Sequence, residues 1–397
     1  MKERIAITGM GIVSAIGMNA EENLLSLKGS KHGISKIKHI DTTLKDNILV
    51  GEIKKTNQEL EEILGLSSPN NFSRSSMFGA IAAKEAILDA GIETKENTSI
   101  GFINSTTVGG MDMVERFYDN FLEKEEYQHY IEVHDAGSNT DLISEYLGIN
   151  GFVTTISTAC SSAANAIMLG ARMIESGRLD QVVVGGMDGL CKFTINGFNT
   201  LMILSDTFNQ PFDENRKGLN LGEGAAYLIL ESEKSYKKRN KKPLAYLGGY
   251  ANANDAFHQT ASSEQGDGAF LAMKNAFEVA GMKPEDIDYI NAHGTATPNN
   301  DLSEGRAMVN IFEGKVPQFS STKPFTGHTL AAAASVEAVY SIFALRENLL
   351  FPSLNFKENM KEFDLTPQLI LEEKEISAVL SNSFGFGGNC SSLIFVK

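Results

Sequence analysis

Apolar positions along this chain fall into two patterns that alternate. Short apolar runs bounded by glycine or polar turns read as buried strands at 4–9 (RIAITG), 98–104, 152–156, 180–186 (DQVVVGG), 225–231 (AAYLILE), 244–250, 287–291, 319–321, 378–382 and 391–395. Between them, apolar residues recur at helical spacing. In 72–90, Met77, Ile81, Ala82, Ile87 and Leu88 share a face, and Gly91 ends the run. Further helices are predicted at 20–28, from just after Cys160 to near Gly177, at 268–281 and over the Ala-rich 329–347. Residues 31–55 are irregular, and the aromatic-rich 112–131 reads as partly helical, suited to line a pocket or a dimer face.

The second series of elements repeats the first. DYINAHGTAT stands where SIGFINSTTVGG stood, and STKPFTGHTLAAAASVEAV where TISTACSSAANAIMLGA stood. VLSNSFGFGGNCSSLIFV stands where QVVVGGMDG and the later AAYLILE stood. Each half runs strand, loop, helix, strand, which predicts two α/β units with mostly parallel sheets covered by helices. The basic run 237–242 (KKRNKK), followed by Pro243, reads as the solvated link between a unit over 1–242 and one over 243–397. Loops related by the repeat would meet where the halves pack.

Composition narrows the function classes. The 397 residues suffice for two domain-sized units, and 42% hydrophobic with 21% charged residues is ordinary for a globular protein. A net charge of −15 argues against nucleic-acid binding. Three cysteines (Cys160, Cys191, Cys390) without CxxC spacing argue against a disulfide scaffold or a zinc knuckle, and no metal is expected. There is no apolar run of transmembrane length, and the N-terminal segment lacks a clean small-residue cleavage site. It reads as a first strand plus a turn at Gly9, Gly11 and Gly17, and the protein is expected in the cytoplasm, away from membranes.

The candidate chemistry centres on Cys160, in TISTACSSAANAI. Small neighbours let backbone and substrate approach the sulfur. A cysteine at the first turn of a helix lies at the positive end of the macrodipole, which favours thiolate, the form that attacks carbonyl carbon. Free cysteines are more often simply buried, so the assignment depends on other groups. His293 (NAHGTAT) and His328 (TKPFTGHT) fall, by the repeat, at junctions equivalent to that of Cys160. Cysteine with histidine partners suits acyl-thioester chemistry, since imidazole exchanges protons or donates hydrogen bonds near neutral pH. Lys323 adds a positive charge nearby. The segment 383–388, SFGFGG, offers backbone N–H groups in a glycine turn, as an oxyanion hole requires, although an ordinary strand-ending turn reads the same way.

Five motifs, in order, carry a resemblance over essentially the whole chain: TACSSAANAI, PFDENRKGLNLGEGA, NAHGTATPNND, STKPFTGHTLAAAASVE and NSFGFGG. The sequence resembles the β-ketoacyl-[acyl-carrier-protein] synthases, the elongating condensing enzymes of fatty acid and polyketide assembly. The resemblance implies an α/β fold of the thiolase-like, duplicated αβαβα type, and a homodimer. It implies that Cys160 accepts an acyl chain from acyl carrier protein, and that His293 and His328 stabilise the enolate formed as malonyl carrier protein loses carbon dioxide. The N–H groups of Cys160 and Phe386 would hold the tetrahedral oxyanion, with Phe386 also a gate. Lys323 and Glu337 would support the histidines. Thr295, Thr297 and Thr260 would contact the phosphopantetheine arm, on which both substrates arrive, so that no other cofactor is implied.

Chain-starting relatives are Cys–His–Asn enzymes and degradative thiolases carry a second catalytic cysteine. Cys390, in GGNC, follows the elongating-type NSFGFGG and reads as structural, though the family usually has GGTN there. Two further departures concern partners. Gln210 stands where the family often has Arg, and 67–74 reads SSPNNFSR where a basic cluster is common. The pocket depth that sets chain length is expected from 107–108, 198–202 and the partner subunit's copy of 112–131. Two other readings stay open: a pathway-specific polyketide or polyene ketosynthase, and a non-catalytic partner in a heterodimer.

Overall fold

Ten strands form one continuous sheet in the computed structural model, which describes residues 5–94 and 100–397. The first half supplies β1 (Ile5–Ser14), β2 (Ile100–Ser105), β3 (Val153–Ile156), β4 (Gln181–Asp188) and β5 (Gly224–Glu231). The second supplies β6 (Ala245–Asn254), β7 (Tyr289–Asn291), β8 (Gln318–Ser320), β9 (Ala378–Gly385) and β10 (Asn389–Val396). Residue 4 of the first expected strand, and 98–99 of the second, lie outside the described residues.

The order across the sheet is β3-β2-β4-β5-β1, then β6-β10-β9-β7-β8. Each strand of the first set therefore has its counterpart, five strands on, at the mirrored place. The duplication read from the sequence is the duplication of the fold. In each half the outer three strands pair in parallel and the inner pairs run antiparallel. The halves join through Ile5–Ile7 of β1, antiparallel to Ala245–Leu247 of β6.

Three helical layers enclose these strands. The middle layer holds α2 (Ser162–Glu175) and α5 (Ala333–Glu347), whose residues share one hydrophobic cluster with strands of both halves. From Ala333 to Leu345 every residue of α5 is buried, as expected of an Ala-rich helix with apolar residues all round. The outer layers are α1 (Arg74–Ala90) on the first half and α3 (Asp267–Ala280) with α4 (Pro298–Ile311) on the second. Helix α1 is the strong helix of the sequence, capped by the Ser73 side chain and closed by Gly91 at φ 65°.

Two local expectations are corrected. β1 does not turn at Gly9 and Gly11 but runs through both to Ser14. A Cβ at Gly9 would lie 2.3 Å from the Ala86 carbonyl oxygen and one at Gly11 would lie 2.1 Å from that of Ala82. These glycines let α1 seat on the strand. The 329–347 helix is interrupted at its start, where Leu330–Ala332 form a 3₁₀ turn, with Leu330 at φ 52°, before α5 begins. Segment 112–131 is helical over Met111–Glu123, Glu125–Tyr127 and Gln128–Glu132. Among the described residues, no helix is long and apolar enough to cross a membrane.

Candidate active site

Cys160 lies in the turn between β3 and α2, immediately before Ser161, the residue that precedes the first turn of the helix. The preceding Ala159 has φ 52°, so the chain bends sharply there. The bend is held by the Ser162 side chain, which accepts from the Thr158 N–H at 2.8 Å and donates to the Ala159 carbonyl at 2.5 Å. The sulfur faces a cavity of about 310 Å³. His293, His328, Phe386, Thr295, Thr297 and Thr260 line the same cavity, so the repeat brings the expected groups together.

The β9–β10 turn approaches the nucleophile closely. A Cβ on Gly385 would meet the Thr158 carbonyl oxygen at 2.9 Å and the Cys160 nitrogen at 3.1 Å. The backbone N–H groups of Phe386 and of Cys160 itself act on the sulfur and draw its thiol pKa down. The Phe386 ring stacks on Phe198 at 6.0 Å. GGNC acquires a clear role here: Asn389 Oδ1 accepts from Ser161 Oγ at 2.6 Å, Asn165 Nδ2 at 2.9 Å and Asn252 Nδ2 at 2.7 Å. It thereby ties the turn to α2 and β6. Cys390 is buried and lines the cavity, and burial pushes its thiol up to about 12.

Behind the cavity sits a buried ion pair, Lys323 with Glu337. Lys323 Nζ also donates to the His293 carbonyl at 2.6 Å and to His293 Nδ1 at 3.3 Å. An ammonium can only donate, so Nδ1 must accept and the ring proton resides on Nε2. Burial, helped by Lys323, holds both His293 and His328 well below the usual imidazole range, so both rings are neutral at neutral pH. The two rings stand edge to face at 5.4 Å. Among the described residues, Nδ1 of His328 is buried with no hydrogen-bond partner. Burial pushes Glu337 up to about 7, against the pull of Lys323 and of the Ser383 hydroxyl, which donates at 3.3 Å.

The expectation of a resting thiolate at Cys160 is corrected. Burial pushes the thiol up to about 11; Lys323 and the two N–H groups pull it down without offsetting that cost. The sign of the shift makes a prediction. Since the thiol persists to high pH, iodoacetamide labelling of the Cys160 peptide should climb about tenfold per pH unit from about pH 7 to about pH 9. A plateau in that window would contradict the shift.

Several residues that organise the site were not singled out in the sequence. Glu304 of α4 is fully buried, and accepts from the N–H of His293 at 2.9 Å and of Gly294 at 2.8 Å. Asp301 of the same helix accepts from Ala296 N–H at 3.1 Å and Phe212 N–H at 2.7 Å. Together they fasten the loop carrying His293, Thr295 and Thr297. The available signal was Pro298 directly after Thr297, since proline favours the first helical position. Asp188, at the end of β4, accepts from Thr106 Oγ1 (2.5 Å), Val108 N–H (3.0 Å) and Ala331 N–H (2.8 Å). It joins the first half to the turn that follows His328. Residues 107–108, expected in the chain-length pocket, do not line the cavity of the single chain; Phe198, Leu201, Met202, Ile203 and Leu219 do.

The chain is similar to known proteins along its whole length. The family described as Beta-ketoacyl synthase, N-terminal domain, matches residues 2–235, and its C-terminal domain matches 244–357. A 3-oxoacyl-[acyl-carrier-protein] synthase 2 of Staphylococcus aureus is 32% identical over 410 residues, covering 100% of this chain and 98% of the relative. Among solved structures, the ishigamide ketosynthase/chain length factor superposes with a TM-score of 0.93 at 27% identity, covering 100% of both chains. A type II polyketide ketosynthase solved with its acyl-carrier protein and bound to the hexaketide (AntDE:AntF) gives 0.87 at 25% identity, again covering 100% of both.

Proposed function

Because the chain belongs to the β-ketoacyl synthase family and is an elongating condensing enzyme of fatty acid or polyketide synthesis, we propose that Cys160 carries the growing acyl chain while His293 and His328 handle the malonyl unit. The observation that carries this division is the convergence, on one cavity, of the Cys160 thiol, the Phe386 turn and two neutral imidazoles from the other half.

Both substrates arrive on the phosphopantetheine arm of acyl carrier protein, with Thr295, Thr297 and Thr260 along its path; the chain itself needs no other cofactor. In the first step Cys160 sulfur attacks the acyl thioester carbonyl. The carbon–sulfur bond to the arm breaks, and the departing arm thiolate takes up the proton that Cys160 gives up. The neutral imidazoles relay that proton, which a resting thiol requires. In the second step the malonyl carbon–carbon bond breaks. Carbon dioxide leaves and the electron pair enters the thioester as an enolate. The Nε2–H of His293, fixed by Lys323 at Nδ1, and the imidazole of His328 stabilise the enolate oxygen. The enolate carbon then attacks the acyl-Cys160 carbonyl, and the N–H groups of Cys160 and Phe386 hold the oxyanion until the carbon–sulfur bond breaks; the Cys160 thiolate so released takes up a proton from solvent to restore the thiol. The product is a 3-ketoacyl chain on the carrier. Phe386, stacked on Phe198, gates the acyl side, and Glu337 supports Lys323.

The same reading divides the chain into a nucleophile half, 1–242, and a histidine half, 243–397, and places the enzyme in the cytoplasm as a dimer. A second reading, one subunit of a heterodimeric polyketide or polyene ketosynthase, is favoured by the likeness to the ishigamide ketosynthase/chain length factor. Incubating the purified protein with acyl- and malonyl-loaded carrier should give a 3-ketoacyl product two carbons longer; comparing saturated with polyunsaturated acyl carriers separates the pathways. A protein that neither condenses nor releases carbon dioxide on its own would be a non-catalytic partner instead.

A further inference from the structure

On the proposed reading that the N–H groups of Cys160 and Phe386 hold one oxyanion, the two donors come from different halves of the chain. Their spacing depends on how the halves are fastened beside the cavity. The turn that carries Phe386 has little stiffness of its own: Gly387 and Gly388 follow at φ 82° and 79°, values that glycine adopts freely. Its backbone is anchored within the second half. Gly387 N–H donates to the Gln259 carbonyl at 2.7 Å, Asp255 N–H to the Gly388 carbonyl at 2.8 Å, and Asn254 Nδ2 to the Gly387 carbonyl at 3.1 Å.

Asn389, which closes the turn, reaches across to the first half. Its Oδ1 accepts from Ser161, directly after Cys160, and from Asn165, one helical turn further on. A third donor, Asn252 Nδ2, comes from β6. GGNC carries its amide one residue earlier than GGTN does, and neighbouring residues of a strand face opposite sides. The amide therefore lies on the α2 side, while Cys390 lines the cavity. Each of the three donors also has a second acceptor. Ser161 Oγ lies 2.8 Å from the Thr158 carbonyl, Asn165 Nδ2 lies 2.9 Å from Thr158 Oγ1, and Asn252 Nδ2 lies 3.0 Å from Ser391 Oγ. Removing the Asn389 oxygen thus strands no donor, and the usual cost of an unpaired buried group does not arise. What is lost is the tie between the two halves.

We propose that Asn389 is a positioning residue for acyl transfer: its side-chain oxygen holds the Phe386 turn of the second half in register with the nucleophile turn of the first, so that both N–H groups meet the same oxyanion. Such donors work only when aimed in advance at the place where charge develops, and a small misplacement costs much of their effect. The malonyl step relies on the histidines and does not need this alignment. The side chain therefore matters to one half-reaction and not to the other.

The test pairs Asn389→Val with Asn389→Thr, side chains of nearly the same shape of which only threonine keeps an acceptor oxygen. Acyl transfer to Cys160 is followed by intact-protein mass over a range of acyl-carrier concentrations, beside carbon dioxide release from malonyl carrier and the urea midpoint. Asn389→Val should lower the limiting transfer rate by about thirtyfold or more, with the half-saturating carrier concentration unchanged. Asn389→Thr should return the rate to within about fivefold of the unsubstituted protein. Decarboxylation should stay within about twofold in both variants, and the urea midpoint should hold, since no donor is stranded. Equal transfer rates in the two variants overturn the proposal. So does an Asn389→Val protein that loses transfer and decarboxylation together with its urea midpoint, which would leave Asn389 a purely structural tie. Failure of the unsubstituted protein to take an acyl group at Cys160 would instead remove the reading on which the proposal rests.

Discussion

Cys160→Ala should lower condensation by at least about a thousandfold while leaving malonyl decarboxylation running. The two steps use different groups. Condensation needs the sulfur to hold the acyl chain, and among the described residues Cys390 is the other thiol on the cavity wall, buried and held up to about 12. Decarboxylation needs a hydrogen-bond donor at the enolate oxygen, and that donor belongs to the histidines of the other half: Lys323 and Glu304 fix His293, and the His328 N–H donates to the Asn220 carbonyl at 2.8 Å. The smaller alanine removes no bond from either imidazole. The measurement is 3-ketoacyl product by mass spectrometry beside carbon dioxide release from malonyl carrier. Loss of both activities together would mean that the sulfur also serves the malonyl step, and survival of condensation would remove Cys160 from the mechanism.

Lys323→Met should cost stability and rate for separable reasons. Lys323 and Glu337 are 2% and 3% exposed, and removing one partner of such a buried pair costs about 3–5 kcal/mol by leaving the other unpaired. Without the ammonium, Glu337 is driven further toward its protonated form, since Lys323 is what pulls it down. His293 meanwhile loses the donor that fixes its tautomer. Decarboxylation should fall by about a hundredfold. Adding Glu337→Gln removes the orphaned carboxylate and should recover most of the lost urea midpoint. It should not restore the rate, because the ammonium that donates to Nδ1 is gone. Recovery of both together would make the lysine purely structural.

Much of this site was legible in the chain because the fold is a duplication. The equivalence of TISTAC with STKPFTGH placed Cys160 and His328 at matching junctions, and DYINAHGTAT placed His293 at the end of β7. The strand order then brings those junctions to one cavity. The groups that were not legible act through backbone atoms far away in sequence. Glu304 grips the N–H groups of His293 and Gly294, and Asn389 reaches Ser161 across 228 residues. Neither belongs to a periodic pattern or a nucleophile–base pairing, so spacing alone does not reveal them. The glycines of β1 misled for a related reason. Glycine signals either a turn or a close approach, and only the position of α1 decides which. The thiol of Cys160 turned on magnitudes: burial pushes it up by more than Lys323 and the two N–H groups pull it down.

The central claim is that Cys160 holds the acyl chain between two carrier-borne steps. Its most direct test is peptide mapping of the protein after incubation with a radiolabelled acyl carrier. The account predicts one equivalent of label on the peptide containing Cys160, discharged into a 3-ketoacyl product when malonyl carrier is added. Label on another residue, or label on Cys160 that malonyl carrier does not discharge, would contradict it.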